Sequence, residues 1–198
     1  PKDASHKLFD TIAAYPKICK QFHLPFQSGN DRVLHAMNRR YTSAQYLELV
    51  DYGRSLMPEL VLTSDVIVGF PGETEEEFED TLRLIERVRY DALFTFIFSR
   101  RGGTRAALLP DATPHKVKAE RLGRLLRLQE EISREEAAAL TGASLRVLVE
   151  GPGRGEGELA GRLDNNLVAE FVGDSRLIGQ FVEVKITGSK GIYLTAEV

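Results

Sequence analysis

The 198-residue sequence has a single cysteine, Cys19, and no tryptophan. A single cysteine excludes a disulfide within the chain and any metal site built from several of its own cysteines. We expect Cys19 to be an inert thiol in the core. No apolar run approaches the ~20 residues that a bilayer-spanning helix needs, and no signal peptide opens the chain. These absences favour a soluble, cytoplasmic protein without a membrane partner.

An initiator methionine is also absent, because the sequence starts at Pro1 and enters a helical pattern at once. Such a start is typical of the middle of a longer polypeptide. The first part of the chain has only three strand-like segments, and three parallel strands leave both edges of a sheet open. We therefore expect the first half of a barrel to be missing, and we expect the open edge to lead either to a dimer by swapping or to partial disorder.

Charge is distributed unevenly along a chain whose net charge is only −3. Residues 100–134 contain nine lysines and arginines against four acidic residues, so the rest of the chain is acidic. A local basic segment indicates either an anionic partner or a solvated helix face. The sequence leaves both interpretations open.

Hydrophobic periodicity divides the chain near residue 140. Before that point apolar strands alternate with amphipathic helices, which predicts β/α units and a parallel sheet. After Thr141 and Gly142 the period becomes two and glycines recur every eight to twelve residues, which predicts a small all-β barrel or sandwich. We therefore predict an α/β domain over 1–139 and an all-β domain over 140–198.

Polar residues mark the helix starts of the α/β part. Asn30 or Asp31 can cap one helix and Ser43 the next. Thr74 and Glu77 form a capping box. Thr113 is expected to cap a long helix with Pro114 in its first position.

Gln27, Asp65 and Ser99 follow or interrupt the three strands, so parallel strands would bring them to one rim. Asp65 lies inside an apolar run, where an unpaired carboxylate is costly, so it should have a partner or a ligand. Arg39 and Arg40 could hold a carboxylate or a phosphate, although one of them is as well explained as a solvated helix end. The four histidines show no metal-ligand spacing.

Four ordered segments (23–31, 37–42, 64–74 and 96–104) together resemble the radical S-adenosylmethionine methylthiotransferases. The β domain resembles the TRAM domain of those enzymes. The resemblance implies half of a (β/α)6 partial barrel followed by a small OB-like TRAM barrel. It also implies [4Fe–4S] clusters bound by cysteines that this sequence lacks, so the chain alone should not be catalytic.

The same resemblance assigns roles to individual positions. Arg39 would hold the methionine carboxylate of S-adenosylmethionine, Gln27 its polar end and Asp65 the ribose hydroxyls. The backbone of Val68, Gly69 and Phe98 would lie near the adenine. Candidate RNA contacts are Arg101, Arg146, Arg154, Arg162, Lys185 and Lys190, although several could equally serve to solubilise strand edges.

Two segments, 96–101 and 161–166, favour the branch that adds a methylthio group to C2 of N6-isopentenyladenosine at position 37 of tRNA. The anticodon loop would then be the partner. The alternatives left open are threonylcarbamoyladenosine in tRNA and an aspartate of a ribosomal protein. A non-enzymatic RNA-binding module on an inert scaffold is a fourth interpretation. Gly102 and Arg105 depart from the pattern usual in that family, so we expect this loop to be more flexible and more basic.

Overall fold

A three-stranded parallel sheet organises the first part of the chain, as the periodicity predicts. The structure, a computed structural model, describes residues 3–198. The sheet order is β1-β2-β3, with β1 and β3 both parallel to β2. The elements are α1 (His6–Ala14), β1 (Gln21–His23), α2 (Asp31–Ala36), α3 (Ser43–Leu56), β2 (Val61–Val68), α4 (Glu75–Val88), β3 (Ala92–Ile97), a 3₁₀ turn (Arg105–Leu108) and α5 (His115–Ala139).

The two faces of this sheet differ. Alternate residues of β2, such as Leu62 and Val66, are fully buried in one core with residues from the helices. A chain of hydrogen bonds crosses that core, because Tyr90 Oη donates to Tyr46 Oη (2.8 Å) and Tyr46 Oη donates to the Leu24 carbonyl (2.8 Å). The opposite face is open, and on it Phe94 is 55% exposed.

Helix caps agree with the sequence at two sites and differ at two others. Asn30 caps α2, and Thr74 caps α4 in a capping box with Glu77. The expectation for Ser43 is wrong, because Thr42 caps α3 and its N3 residue, Gln45, completes a second capping box. Pro114 is not the first helical residue of α5. Its ψ of 145° is extended, so it stands at the cap position without a side-chain hydrogen bond.

The second part of the chain is a closed five-stranded barrel, which confirms the all-β prediction. Its strand order is β4-β5-β6-β8-β7, and Val147, Phe171 and Ile186 are among the residues of its buried core. The strands are β4 (Ser144–Pro152), β5 (Glu158–Leu163), β6 (Val168–Val172), β7 (Phe181–Lys190) and β8 (Tyr193–Glu197).

Two hydrogen bonds join the barrel to the beginning of β1. The Lys20 amide donates to the Asp164 carbonyl (3.1 Å), and Asn166 Nδ2 donates to Gln21 Oε1 (2.6 Å). A cavity of about 420 Å³ lies between the two parts, lined by Arg54, Asp91 and Leu140 among others. Cys19 precedes this junction and is exposed, so the expectation of a core thiol is wrong. Among the helices of residues 3–198, none has both the length and the apolar character that crossing a bilayer requires.

Candidate cofactor and RNA site

A cleft of about 1230 Å³ opens at the carboxyl ends of the three strands. This is the side of a parallel β/α sheet where ligands bind. Gln27, Asp65 and Ser99 all line the cleft, so the three polar residues that follow or interrupt the strands do come together. Its other lining residues include His35, Arg39, Ile67, Phe70, Phe96, Phe98, Arg101, Arg105 and Leu108.

Asp65 projects from the middle of β2 onto the open face of the sheet. It shares this face with its register partner, Phe94. Its Oδ1 lies 3.5 Å from Nε2 of His23, and Nδ1 of His23 hydrogen-bonds Thr63 Oγ1 (2.9 Å). Because the Asp65 side chain remains 31% exposed, the carboxylate has a partner and is still open to a ligand.

Gln27 reaches the cleft through an unusual backbone conformation. Its φ is +67°, a value that is uncommon for a residue with a Cβ. Its amide donates to the Asp65 carbonyl (2.9 Å), and its carbonyl accepts from the Ile67 amide (3.0 Å). The backbone is therefore held against β2. Within the described residues the side-chain amide of Gln27 forms no hydrogen bond, which leaves it available to a ligand.

Arg39 stands at the cleft just after α2. Asn38 before it has a φ of +61°, and the Arg39 amide donates to the Leu34 carbonyl (2.9 Å), which closes the end of the helix. The Arg39 side chain is exposed and has no carboxylate partner in the part of the chain that the structure describes.

The three positions whose backbone the resemblance places near adenine have different surroundings in the structure. Val68 is fully buried in the core, and its carbonyl accepts from the Phe98 amide (2.9 Å). Gly69 is buried behind the cleft. Phe98 does line the cleft, where its ring packs edge-to-face on Phe70 at 5.2 Å. The sequence reasoning missed Ile67 and Phe96, although alternation from Asp65 along β2, with β3 in register beside it, would have found them.

Helix α5 fixes the loop behind the cleft. The Glu73 carboxylate accepts from the Gly69 amide (2.8 Å) and from Nη1 of Arg121 (3.2 Å). Both side chains of this ion pair are buried, at 1% and 7% exposed. Burial raises the pKa of Glu73, and the Gly69 amide and Arg121 counter that effect.

Lys118, one helical turn before Arg121, fills the space beside Gly69. A Cβ built on Gly69 would stand 2.6 Å from the stem of Lys118. The ammonium group donates to Asp111 Oδ2 (2.6 Å). The basic segment of the sequence is therefore partly neutralised from within, since Lys118, Arg121 and Arg124 all pair with carboxylates of this chain.

The cleft offers groups that suit a nucleoside joined to an amino acid with a free carboxylate. A guanidinium complements a carboxylate, a carboxylate accepts from ribose hydroxyls, and aromatic faces take a base. Arg39, Asp65 and the rings of Phe70, Phe96 and Phe98 supply these groups within one cavity. The described part of the chain offers no ligand set for a metal cluster, because residues 3–198 contain no group of three or more His, Cys, Asp or Glu side chains placed to bind one.

Family models match both parts of the chain. The Radical SAM superfamily matches residues 3–85, and the TRAM domain matches residues 138–198. The chain therefore contains a radical SAM segment followed by a TRAM domain. Radical SAM proteins use S-adenosylmethionine together with a [4Fe–4S] cluster, and the cleft fits the first of these two groups.

Curated relatives match the radical SAM and TRAM parts together. A protein of Thermoanaerobacter pseudethanolicus named tRNA-2-methylthio-N(6)-dimethylallyladenosine synthase is 48% identical over 198 residues, which is all of this chain and 42% of the relative. One of the same name from Syntrophotalea carbinolica is 50% identical over 188 residues, which is 94% of this chain and 43% of the relative. The chain thus spans less than half the length of these relatives.

A solved structure supports the fold. Coproporphyrinogen III oxidase from Escherichia coli, described as a radical SAM enzyme, aligns with a TM-score of 0.56 at 20% identity. The alignment covers 67% of this chain and 31% of the oxidase. At that identity the likeness confirms the partial-barrel fold and carries no information on substrate.

Four of the five TRAM candidates for RNA contact fall into two groups on the barrel, and the fifth, Arg162, lies on β5 opposite Leu148 of β4. Arg146 on β4 and Lys185 on β7 lie on neighbouring strands, and Arg146 stacks over Phe181 at 4.7 Å. Arg154 stacks over Tyr193 at 3.8 Å, and Tyr193 pairs with Lys190 in the β7–β8 register.

Three of these TRAM arginines already have carboxylate partners. Arg154 binds the buried Glu170 (2.8 Å) and lowers the pKa of that carboxyl. Arg162 binds Glu150 (2.9 Å), and Arg146 lies 3.4 Å from Asp164. Lys185 and Lys190 form no ion pair within the described residues. Arg101 lies apart from all of these, on the rim of the cleft.

Proposed function

We propose that this chain is the S-adenosylmethionine-binding and tRNA-binding part of a methylthiotransferase. The proposed reaction adds a methylthio group to C2 of N6-isopentenyladenosine, also called N6-dimethylallyladenosine, at position 37 beside the anticodon. The observation that supports it most is that all or nearly all of this chain matches part of relatives carrying that name. The proposed place of action is the cytoplasm.

The residues of this chain would act by binding and orienting. In this proposal Arg39 holds the carboxylate of S-adenosylmethionine, Asp65 accepts from its ribose hydroxyls, and Gln27 binds its polar end. Phe98, with Phe70 behind it, would cover the adenine. When bound, S-adenosylmethionine and a cluster held outside these residues supply radical chemistry, for which a fixed orientation is essential.

The RNA-binding part of the proposal concerns the TRAM domain and the cleft rim. Arg146, Arg154, Arg162, Lys185 and Lys190 are proposed to contact phosphates of the tRNA, with Arg101 nearer the anticodon loop. Such contacts give affinity without reading sequence. Specificity would come from an adenosine turned out of the loop toward the cleft. Because Arg146, Arg154 and Arg162 all have carboxylate partners in this chain, we expect Lys185 and Lys190 to contribute more.

The test is anaerobic reconstitution of a longer protein that contains this chain and cluster-binding cysteines. After incubation with tRNA and S-adenosylmethionine, mass spectrometry of the nucleosides should show a methylthio group on N6-isopentenyladenosine. Asp65→Asn should weaken binding of S-adenosylmethionine, whereas Asp51→Asn, at an exposed carboxylate of α3 that pairs with Arg87 and does not line the cleft, should not. Modification of threonylcarbamoyladenosine, or of a ribosomal-protein aspartate, would redirect the proposal to those substrates.

The chain without added segments provides a second test. We expect it to bind tRNA and to show no transferase activity. Tight tRNA binding with no activity even in the reconstituted longer protein would favour the RNA-binding module instead.

A further inference from the structure

The arginines around the cleft mouth differ from most others in the chain. Elsewhere, an arginine typically binds a carboxylate of the same chain. The arginines with such partners are Arg32, Arg83, Arg87, Arg89, Arg121, Arg124, Arg146, Arg154, Arg162 and Arg176.

Most of the arginines that lack a carboxylate partner within residues 3–198 gather at one place. They are the exposed pairs Arg39–Arg40 and Arg100–Arg101, and Arg105. Three of them line the cleft, together with a histidine, and the only carboxylate in that lining is Asp65. Positive charge that a chain leaves unmatched at the rim of a concave site attracts anions.

The loop that carries two of these arginines is held in shape. Thr104 Oγ1 donates to the Arg101 carbonyl (2.8 Å) and caps the 3₁₀ turn that Arg105 begins. Nη2 of Arg100 donates to the Leu109 carbonyl (3.2 Å), which closes the loop on itself. Arg101 and Arg105 are therefore presented four residues apart on one loop, and both face the cleft.

The surroundings of this pair indicate the kind of anion. Leu108, on the same loop, is 86% exposed, and Phe96 on the cleft floor is 53% exposed. Two separate guanidiniums complement successive phosphates of a nucleic-acid backbone, and the exposed apolar surface beside them complements its bases. A small free anion would need only one guanidinium fork.

We propose that Arg101 and Arg105 bind successive phosphates of single-stranded RNA at the mouth of the cleft, flanking the nucleoside that enters it. This inference rests on the proposed function and adds to it a second arginine and a defined phosphate subsite. Arg39, which also lines the cleft, is left to S-adenosylmethionine. The contact positions the RNA and reads no base.

The experiment measures binding of a fluorescent anticodon stem-loop RNA to the full 198-residue chain at about 50 to 300 mM KCl. The variants are Arg101→Gln, Arg105→Gln and the double variant. Arg127→Gln is the matched control, because Arg127 is an exposed arginine of α5, remote from the cleft, without a carboxylate partner in the described structure. Thermal unfolding of each variant verifies that it is folded.

Each cleft variant should weaken binding several-fold and reduce the slope of log K against log salt by about 0.7. The double variant should lose about twice that slope, and Arg127→Gln should match the unmodified chain. RNA binding with an unchanged slope in the cleft variants would overturn the phosphate subsite and leave the proposed function standing. Absence of RNA binding by the unmodified chain would instead count against the proposed function itself, and this inference would fall with it.

Discussion

At the scale of single residues, Gly69 is constrained both by its backbone conformation and by the side chain beside it. Its φ of +73° already favours glycine, and an added Cβ would meet the buried stem of Lys118 at 2.6 Å. Gly72 has a similar φ of +76°, but nothing lies within 4 Å of its Cβ position. Alanine substitutions at Gly69 and Gly72 therefore distinguish the cost of a steric clash from the cost of a left-handed backbone conformation.

We predict that Gly69→Ala lowers the free energy of unfolding by about 1–3 kcal/mol more than Gly72→Ala does. Urea denaturation of both variants measures this difference. Equal losses would mean that Lys118 moves aside freely.

The buried ion pair between Glu73 and Arg121 should also be sensitive. Removing one partner leaves a charge in the core, which costs about 3–5 kcal/mol for a fully buried pair. We predict a loss of about 3 kcal/mol for Arg121→Met, because the Gly69 amide still binds Glu73. Arg83→Met, which breaks an exposed pair with Asp80, should cost under about 1 kcal/mol. A similar cost for both variants would show that Glu73 becomes protonated or reaches water.

At the scale of elements, Asp91, which directly precedes β3, makes the stability of the fold depend on pH. Burial raises the pKa of Asp91 from 3.8 to about 6, although the Leu62 amide donates to its carboxylate (2.8 Å). Folding therefore favours the protonated form of Asp91. The resulting stabilisation is complete below about pH 4 and is lost as the pH rises through about 6.

We predict that Asp91→Asn, which keeps an acceptor for the Leu62 amide, removes this dependence. Relative to the unmodified chain, the variant should gain on the order of 2 kcal/mol of stability between about pH 4.5 and 7.5. Chemical denaturation at both values gives the difference. A constant difference between the two proteins would show that Asp91 titrates normally in the fold.

The elements show what the sequence can and cannot reveal. The three parallel strands, the Thr74 capping box and the all-β character of the second part leave local patterns in the sequence, and those patterns are enough to predict them. The start of α5 was placed one residue early because Thr113 and Pro114 look like a cap and a first turn. The backbone at Pro114 is extended instead, which no local pattern signals.

The candidate site was predictable only in part for a similar reason. Asp65, Gln27 and Ser99 could be placed together from strand ends alone. The sequence does not reveal which arginines of the basic segment are neutralised. Arg121 and Arg124 bind carboxylates of α4 that lie more than 40 residues away in the chain.

At the scale of the whole molecule, the open sheet is the dominant feature. Both edge strands, β1 and β3, pair on one side only within the described residues, and Phe94 is exposed on β3. Open edges beside apolar surface favour association. We predict that the 198-residue chain forms dimers through the edge at β3.

Sedimentation velocity over a range of concentrations tests the dimer. Phe94→Lys should shift the equilibrium toward monomer, and Phe181→Lys, at an equally exposed ring on the TRAM barrel, should not. Dimers that persist in Phe94→Lys would place the contact elsewhere.

Helix α5 has a further consequence as a spacer. Its 25 residues extend for about 37 Å, with Lys118 and Arg121 on the cleft loops near one end and Ala137 against the TRAM core near the other. Deleting one residue between these points would rotate the TRAM barrel by about 100° around the helix axis. That rotation would separate Asn166 from Gln21 and carry the barrel to another side of the sheet. The orientation of the TRAM barrel around the axis of α5 is therefore set by the number of residues in the helix. It does not depend on which side chains fill the exposed positions.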